Sequence, residues 1–294
     1  MNTTPRTAKA SQAAKLLVAT GVNRRNKGKA ALILVLRFAA QNGLITEPES
    51  KILLGRTGML KRYAKQGYFY QIPLPPGLKA APHFPHLHYY HMTEKGMMMV
   101  AAHIPQLAGY GNLELKQRTY LHDFIGRIEA AWRLRVCEIT WYIPETRLPE
   151  LSSQNHKQHD GHFLLFNGER IGLEVEAADW KSGNKLALFV AQCLNSITKN
   201  RVQGVLILVQ NHTALNHYAA PFQAGKNYCQ EWIKESGKWV PRKSSQTVIT
   251  SELSARINVS LILNETDISN RVRRAPAEFL PIALEDCSGD WEDC

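Results

Sequence analysis

The chain has no stretch approaching the ~20 consecutive apolar residues that span a bilayer. Its first twenty residues hold no continuous apolar run of signal-peptide type. No membrane insertion is therefore expected, and a cytoplasmic protein is. Cysteine is sparse: Cys137, Cys193, Cys229, Cys287 and Cys294 are odd in number, widely spaced, and form no pair at zinc-ligand separation. That argues against a disulfide framework or a zinc module and for a reducing compartment. Acidic residues are few beside basic ones, 25 Asp plus Glu against 36 Lys plus Arg, for a formal net charge of +11. A polyanionic partner is the natural reading of that surplus. Aromatic-rich motifs of single-strand RNA-binding modules are also missing, which places DNA ahead of RNA.

At 294 residues and 44% hydrophobic content, the chain is long enough for two buried cores. Pattern divides it at about residue 110, with a second domain over 111–275 and an acidic tail over 276–294. The tail crowds Glu285, Asp286, Asp290, Glu292 and Asp293 around Trp291, as a solvated terminus or a docking peptide would.

The first domain reads as helices followed by a hairpin. Leu32, Val35, Leu36 and Ala39 mark a helix over 29–42 that Gly43 ends. Thr46, Pro48 and Glu49 form a capping-box signature for a short helix that stops at Gly55. A basic helix over 56–66 follows, with Leu60 and Tyr63 inward, Arg56, Lys61, Arg62 and Lys65 available to DNA, and Gly67 as its stop. Helix, tight glycine turn, basic helix is the helix-turn-helix pattern. Strands at 68–74 and 88–92 around Pro75-Pro76-Gly77, then the Thr93-Glu94-Lys95-Gly96 step, resemble a winged-helix domain. That resemblance places helix 56–66 in the major groove and loop 75–88 on the backbone. A helical interaction domain with a merely solvated basic face is the alternative. His83, His86, His88 and His91 match no standard zinc spacing, and Pro82 and Pro85 keep their segment irregular.

In the second domain a helix over 116–135 buries Leu121, Phe124, Ile125, Ile128 and Trp132, leaving His122, Gly126, Glu129 and Arg133 on another face. Strands are expected at 136–143, 161–166, 170–177, 202–209 and 257–263, with helices at 184–199 and 214–236. A mixed sheet with helices on its faces follows, so the fold class is α+β to α/β.

Period two puts Glu174 and Glu176 on one strand face, opposite Leu173 and Val175. A two-residue turn at Asn167-Gly168 would mismatch Phe163 with Gly172. A three-residue loop 166–168, with Gly168 left-handed, instead pairs Phe163 with Ile171 and Asp160 with Glu174. Carboxylates that close can share a divalent cation; alternatively the face is solvated and Arg170, Lys181 and Lys185 neutralise it.

Asp160-Gly161, a short hairpin, then Glu174-Val175-Glu176 resembles the PD-(D/E)xK, restriction-endonuclease-like core, with His159 in place of the motif proline and Glu176 in place of its lysine. Lys181 or Lys185 would supply the missing cation. A literal Asp179-Trp180-Lys181 lies beyond the strand. With the winged-helix pattern and the His122-Asp123 step, the chain is similar over residues 25 to 215 to MobC-type plasmid mobilization relaxases, related to the replication-relaxation family. The resemblance implies nicking of one strand of double-stranded DNA at a plasmid transfer origin, with Mg²⁺ or Mn²⁺ as cofactor and other relaxosome or coupling proteins as partners. By position it implies Asp160, Glu174 and Glu176 as metal ligands or water activators, His122 as an accessory group, and Lys185 as a stabiliser of transition-state charge. A non-enzymatic regulator or relaxosome accessory protein with a degenerate nuclease fold is the competing expectation.

Overall fold

The structure, a computed structural model, describes residues 24–73, 87–114, 120–148, 159–177 and 180–274. Most of the expected wing loop, with His83 and His86, the Asp179 of the literal motif, and the acidic tail lie outside them. Two compact units are present, each mixing helix and strand. As far as described, the first comprises residues 24–114, 127–140 and 263–274, and the second 121–126 and 141–262. No described helix is long and apolar enough to cross a membrane.

The first unit begins with α1 (Arg24–Asn42), which ends at Gly43. Gly43 has φ +72°, and a Cβ there would lie 2.4 Å from Leu113 Cγ, so the chain reverses where only glycine fits. Strand β1 (Ile45–Thr46) leads into α2 (Glu47–Leu54), where Glu49 Oε2 accepts the Thr46 N–H at 2.6 Å, the return half of the expected capping box. After the turn through Gly55 and Gly58 comes α3 (Met59–Lys65), with Leu60 and Tyr63 buried. The helix is shorter than the 56–66 expected, and Arg56 lies in the turn before it. Both glycines have positive φ, which delays the helical start. Strands β2 (Phe69–Ile72) and β3 (Tyr89–Met92) pair antiparallel in the sheet order β1-β3-β2. Thr93 Oγ1 then caps α4 (Glu94–His103) by accepting from Gly96 N.

The stretch 127–140 belongs to this unit through buried polar anchors. It is the second half of α5 (Tyr120–Arg135) and the turn after it. Arg127 Nε donates to Glu49 Oε1 at 2.8 Å with both groups buried. Arg135 Nη1 donates to the carbonyls of Ile52 and Leu53, satisfying acceptors that the end of α2 leaves open. Arg37 reaches Thr140 O at 3.0 Å. Helix α9 (Glu265–Arg274) also sits here, with Ile268 buried and Ser269 Oγ bonded to Lys51 Nζ.

The second unit is built on a five-stranded mixed sheet. Its strands are β4 (Trp141–Pro144), β5 (Gly161–Leu164), β6 (Arg170–Glu176), β7 (Gly204–Val209) and β12 (Ile257–Leu261), in the order β12-β7-β6-β5-β4. β4, β5 and β6 form an antiparallel meander; β6, β7 and β12 are parallel. Helix α6 (Gly183–Thr198) crosses between β6 and β7 and packs Phe189, Val190 and Leu194 with Val205, Ile207 and Val209. On the opposite face Gly126 of α5 closes against Tyr142 and Leu173: a Cβ there would stand 2.4 Å from the Tyr142 hydroxyl.

Two expected elements are corrected. The strand over 136–143 is reduced to β4, because residues 136–140 form a turn through Cys137, at φ 55°. The helix over 214–236 is α7 (His212–Ala219) only, for Pro221 follows and Gly225 has φ +84°. The chain then turns into β8 (Asn227–Cys229), β9 (Trp232–Glu235), β10 (Lys238–Pro241) and β11 (Gln246–Val248), which pair as β8–β11 and β9–β10. Helix α8 (Ser251–Ala255) precedes β12.

Candidate functional site

The hairpin register is the one that hydrophobic patterning selects. Phe163 faces Ile171, Leu165 N donates to Glu169 O at 2.8 Å, and Gly168 has φ +82° in a three-residue loop. What parity did not foresee is the entry to β5. Gly161 is the ladder partner of Leu173, and Asp160 N also donates to Leu173 O, at 2.9 Å. Two successive residues thus oppose one, a β-bulge that interrupts the alternation of side chains.

The bulge separates the three carboxylates. Asp160 Oδ2 accepts the Val175 N–H at 2.7 Å, and its Oδ1 lies 3.9 Å from Nδ1 of His122 on α5. His159, one residue earlier, takes the other face: its ring covers Gly172, where a Cβ would come within 2.8 Å of it, and its Nδ1 is 2.6 Å from Glu174 Oε1. Glu174 is 0% exposed. In the parallel ladder Glu174 pairs with Ile207 and Glu176 with Val209, so both glutamates share the sheet face that α6 covers. A central strand with helices on both faces has no solvated side, and buried carboxylates there require partners. Glu176 has two, Lys181 Nζ and the Tyr218 hydroxyl, which donates to Oε2 at 2.8 Å. Burial, and then the Glu176 carboxylate, push Tyr218 up to about 12, so it stays a donor at neutral pH.

Of the residues singled out in the sequence, the structure therefore brings Asp160 to His122, but places Glu174 with His159 and Glu176 with Lys181. Lys185, in the first turn of α6, is exposed and has no side-chain partner among the described residues. His159 and Tyr218 were missed as partners. His159 had a signal, since it immediately precedes Asp160 at the strand entry; Tyr218 is 42 residues from Glu176 and had none. Beside this cluster Trp180, 47% exposed, stacks on His217 at 5.0 Å between ring centroids.

Oxygen donors suit Mg²⁺ or Mn²⁺ chemically. The arrangement does not: among the described residues no three His, Cys, Asp or Glu side chains converge as a cation's ligands would. Lys181 already neutralises Glu176, and His159 already bonds Glu174. Asp160, Glu174 and Glu176 therefore do not fit a shared metal centre as they stand.

His162 lies on the same face, opposite Gly172, its ring 5.5 Å from that of His159. Burial, with a smaller contribution from the Arg170 charge, lowers it from 6.5 to about 4. Because the folded value is below the unfolded one, the unfolded chain takes up the proton first as pH falls. Stability from this group is intact above about 6.5 and declines by up to about 3 kcal/mol on the way to pH 4. We expect His162→Gln to remove most of that decline; denaturation free energies at about pH 7, 5.5 and 4 check it, and an unchanged slope would assign the acid sensitivity to other groups.

In the first unit Arg56, Lys61, Arg62 and Lys65 are all exposed, and none forms an ion pair among the described residues. Lys61 N donates to Glu47 Oε1 at 3.3 Å, which ties the backbone of α3 to α2. Of the four histidines set aside as a zinc site, His88 Nδ1 bonds Gln71 Nε2, and His91 bonds Tyr70 and the Leu113 carbonyl. Both serve the hairpin. Comparison of the chain with protein-family models, with curated proteins and with solved structures gives no match.

Proposed function

We propose that this protein is a DNA relaxase of the plasmid-mobilization type, which binds duplex DNA through its first unit and nicks one strand at a transfer origin with its second. The observation that carries the reading is the acidic hairpin: Asp160 at its entry and Glu174 and Glu176 in its second strand, on a mixed sheet between helices. That succession of acids along a hairpin is the feature on which the restriction-endonuclease-like resemblance rests. In the first unit, helix, glycine turn and basic helix, two paired strands and a Thr93-capped helix support a winged helix-turn-helix. Supercoiled plasmid carrying the cognate origin, incubated with protein and Mn²⁺ or with EDTA, tests the activity: open circles support it, and intact supercoils in both arms overturn it.

The resemblance implies Mg²⁺ or Mn²⁺, but among the described residues the carboxylates do not gather around a cation. The chain's own residues suffice for a proton-transfer role. His122, whose side chain is 34% exposed, takes the proton of the attacking hydroxyl or water as its oxygen bonds to phosphorus and the bond from phosphorus to one deoxyribose oxygen breaks; that oxygen leaves with the electron pair and is protonated from solvent, and Asp160 supports the charged imidazole. Lys185, the residue expected to stabilise charge on the phosphodiester, stands on α6, which covers the other face of the sheet from this pair, and is not assigned to the reacting group.

One observation favours the second reading, a non-enzymatic regulator or relaxosome accessory protein. Glu174 and Glu176 are occupied by His159, Lys181 and Tyr218, as in a fold whose acids have become structural.

DNA binding is testable apart from nicking. Arg56→Ala, Lys61→Ala and Arg62→Ala together weaken duplex binding and flatten the dependence of log affinity on log salt by about 0.9 per lost phosphate contact. Titrations at two or more salt concentrations check it; an unchanged slope and affinity would show that α3 faces elsewhere.

A further inference from the structure

The first unit holds a groove of about 1090 Å³ along α1, α3 and α4, whose cationic lining is Lys29, Arg56, Arg62 and Lys95 and which contains no acidic residue. Lys29, Arg56 and Arg62 have no acidic partner among the described residues. Lys95 donates to the Gln66 carbonyl and stands 4.3 Å over the Tyr68 ring. Tyr63 lines the same groove at 4% exposure, its hydroxyl without a hydrogen-bond partner among the described residues. Met59, Met99 and the tyrosine rings give the groove an apolar floor. Four cations, aromatic surface and an unused hydroxyl are the complement of an acidic peptide that carries a large aromatic side chain.

The chain contains such a peptide. Residues 275–294, outside the described part, have Glu278, Glu285, Asp286, Asp290, Glu292 and Asp293, one tryptophan, Trp291, and no lysine or arginine. In a protein with net charge +11 this is a concentrated counter-charge. The segment follows α9, which packs on α2 within the first unit. The chain from Arg274 to Trp291 spans up to about 56 Å when extended, against a diameter of roughly 34 Å for a unit of about 100 residues.

We propose that the acidic segment 275–294 seats in this groove, its carboxylates on Arg56, Arg62, Lys29 and Lys95 and Trp291 on the apolar floor, and so occupies the surface offered to DNA. The consequence for DNA rests on the reading of α3 as a DNA-binding helix; the seat itself does not.

Zero-length carbodiimide cross-linking of the full chain, read by mass spectrometry, tests the seat without DNA. The expected result is amide links from the acids of 285–293 to Lys29 or Lys95 at about 50 mM salt, fading at about 500 mM as screening shortens the Debye length. Links only to other lysines, or none, overturn the proposal. In the second arm the acids are neutralised (Glu285→Gln, Asp286→Asn, Asp290→Asn, Glu292→Gln, Asp293→Asn), and duplex DNA is titrated at low salt. The variant should bind about five- to tenfold tighter, as expected when a seat occupied 80–90% of the time is vacated. Equal affinity of parent and variant, both binding DNA, overturns the competition. Links to Lys29 or Lys95 with no DNA binding by either protein uphold the seat and discard the DNA reading instead.

Discussion

Glu49→Ala lowers the stability of the first unit by roughly 3–5 kcal/mol, the range for breaking a buried ion pair by removing one partner. Glu49 is 0% exposed, and its two oxygens are both used: Oε1 accepts from Arg127 Nε at 2.8 Å, and Oε2 from the Thr46 N–H at 2.6 Å. Truncation removes the buried carboxylate to which Arg127 Nε donates and the reciprocal bond at the start of α2. Loss on this scale is a large share of what holds a small domain together, so the helix pair that presents α3 should loosen with it. The double variant Glu49→Ala, Arg127→Met should recover much of the loss, because replacing a buried pair by apolar groups is often neutral where breaking it is not. Urea denaturation of the parent, both single variants and the double variant measures it; a double variant no more stable than Glu49→Ala would mean that Arg127 is not the group left in deficit.

On the proposed relaxase reading, His122→Ala and Asp160→Asn should each slow nicking by about 10²–10⁴, the range for general acid–base catalysis. The pair is the part of the acidic end with solvent access, His122 at 34% and Asp160 at 15% side-chain exposure. Neither residue is in the first unit's basic groove, so duplex affinity should hold while the rate falls. Glu174→Gln is the informative comparison. Its side chain faces α6, sealed from solvent and bonded to His159, so the expected effect is on stability, through the lost charge on a buried hydrogen bond. A rate loss for Glu174→Gln equal to that for Asp160→Asn, at unaltered stability, would return Glu174 to the reacting centre and overturn the division between the two faces. Conversion of supercoiled to open-circular plasmid, followed in time alongside thermal unfolding, separates these outcomes.

Local chemistry accounts for what the sequence by itself determined. Thr46 and Glu49 start α2, Gly43 and Gly55 end helices, and Thr93 caps α4, because each acts within one helical turn of its partner. The hairpin register followed too, since a one-residue slip would turn Phe163 and Ile171 away from each other, and only a loop closed by Gly168 avoids it. Parity placed Glu174 and Glu176 on one face from period two alone. It could not say that this face is covered, for that burial is created when α6 packs over β6 together with β7, whose Ile207 and Val209 pair with Glu174 and Glu176. The tertiary structure alone decided the rest. A bulge at Asp160 depends on how the strand is entered, and it moved that carboxylate to His122 and left His159 for Glu174. Glu176 found Tyr218, and Glu49 found Arg127, across 42 and 78 residues of chain. No short-range pattern records such pairs: a buried charge takes whichever donor the packing brings within about 3 Å, and that is a property of the assembled core.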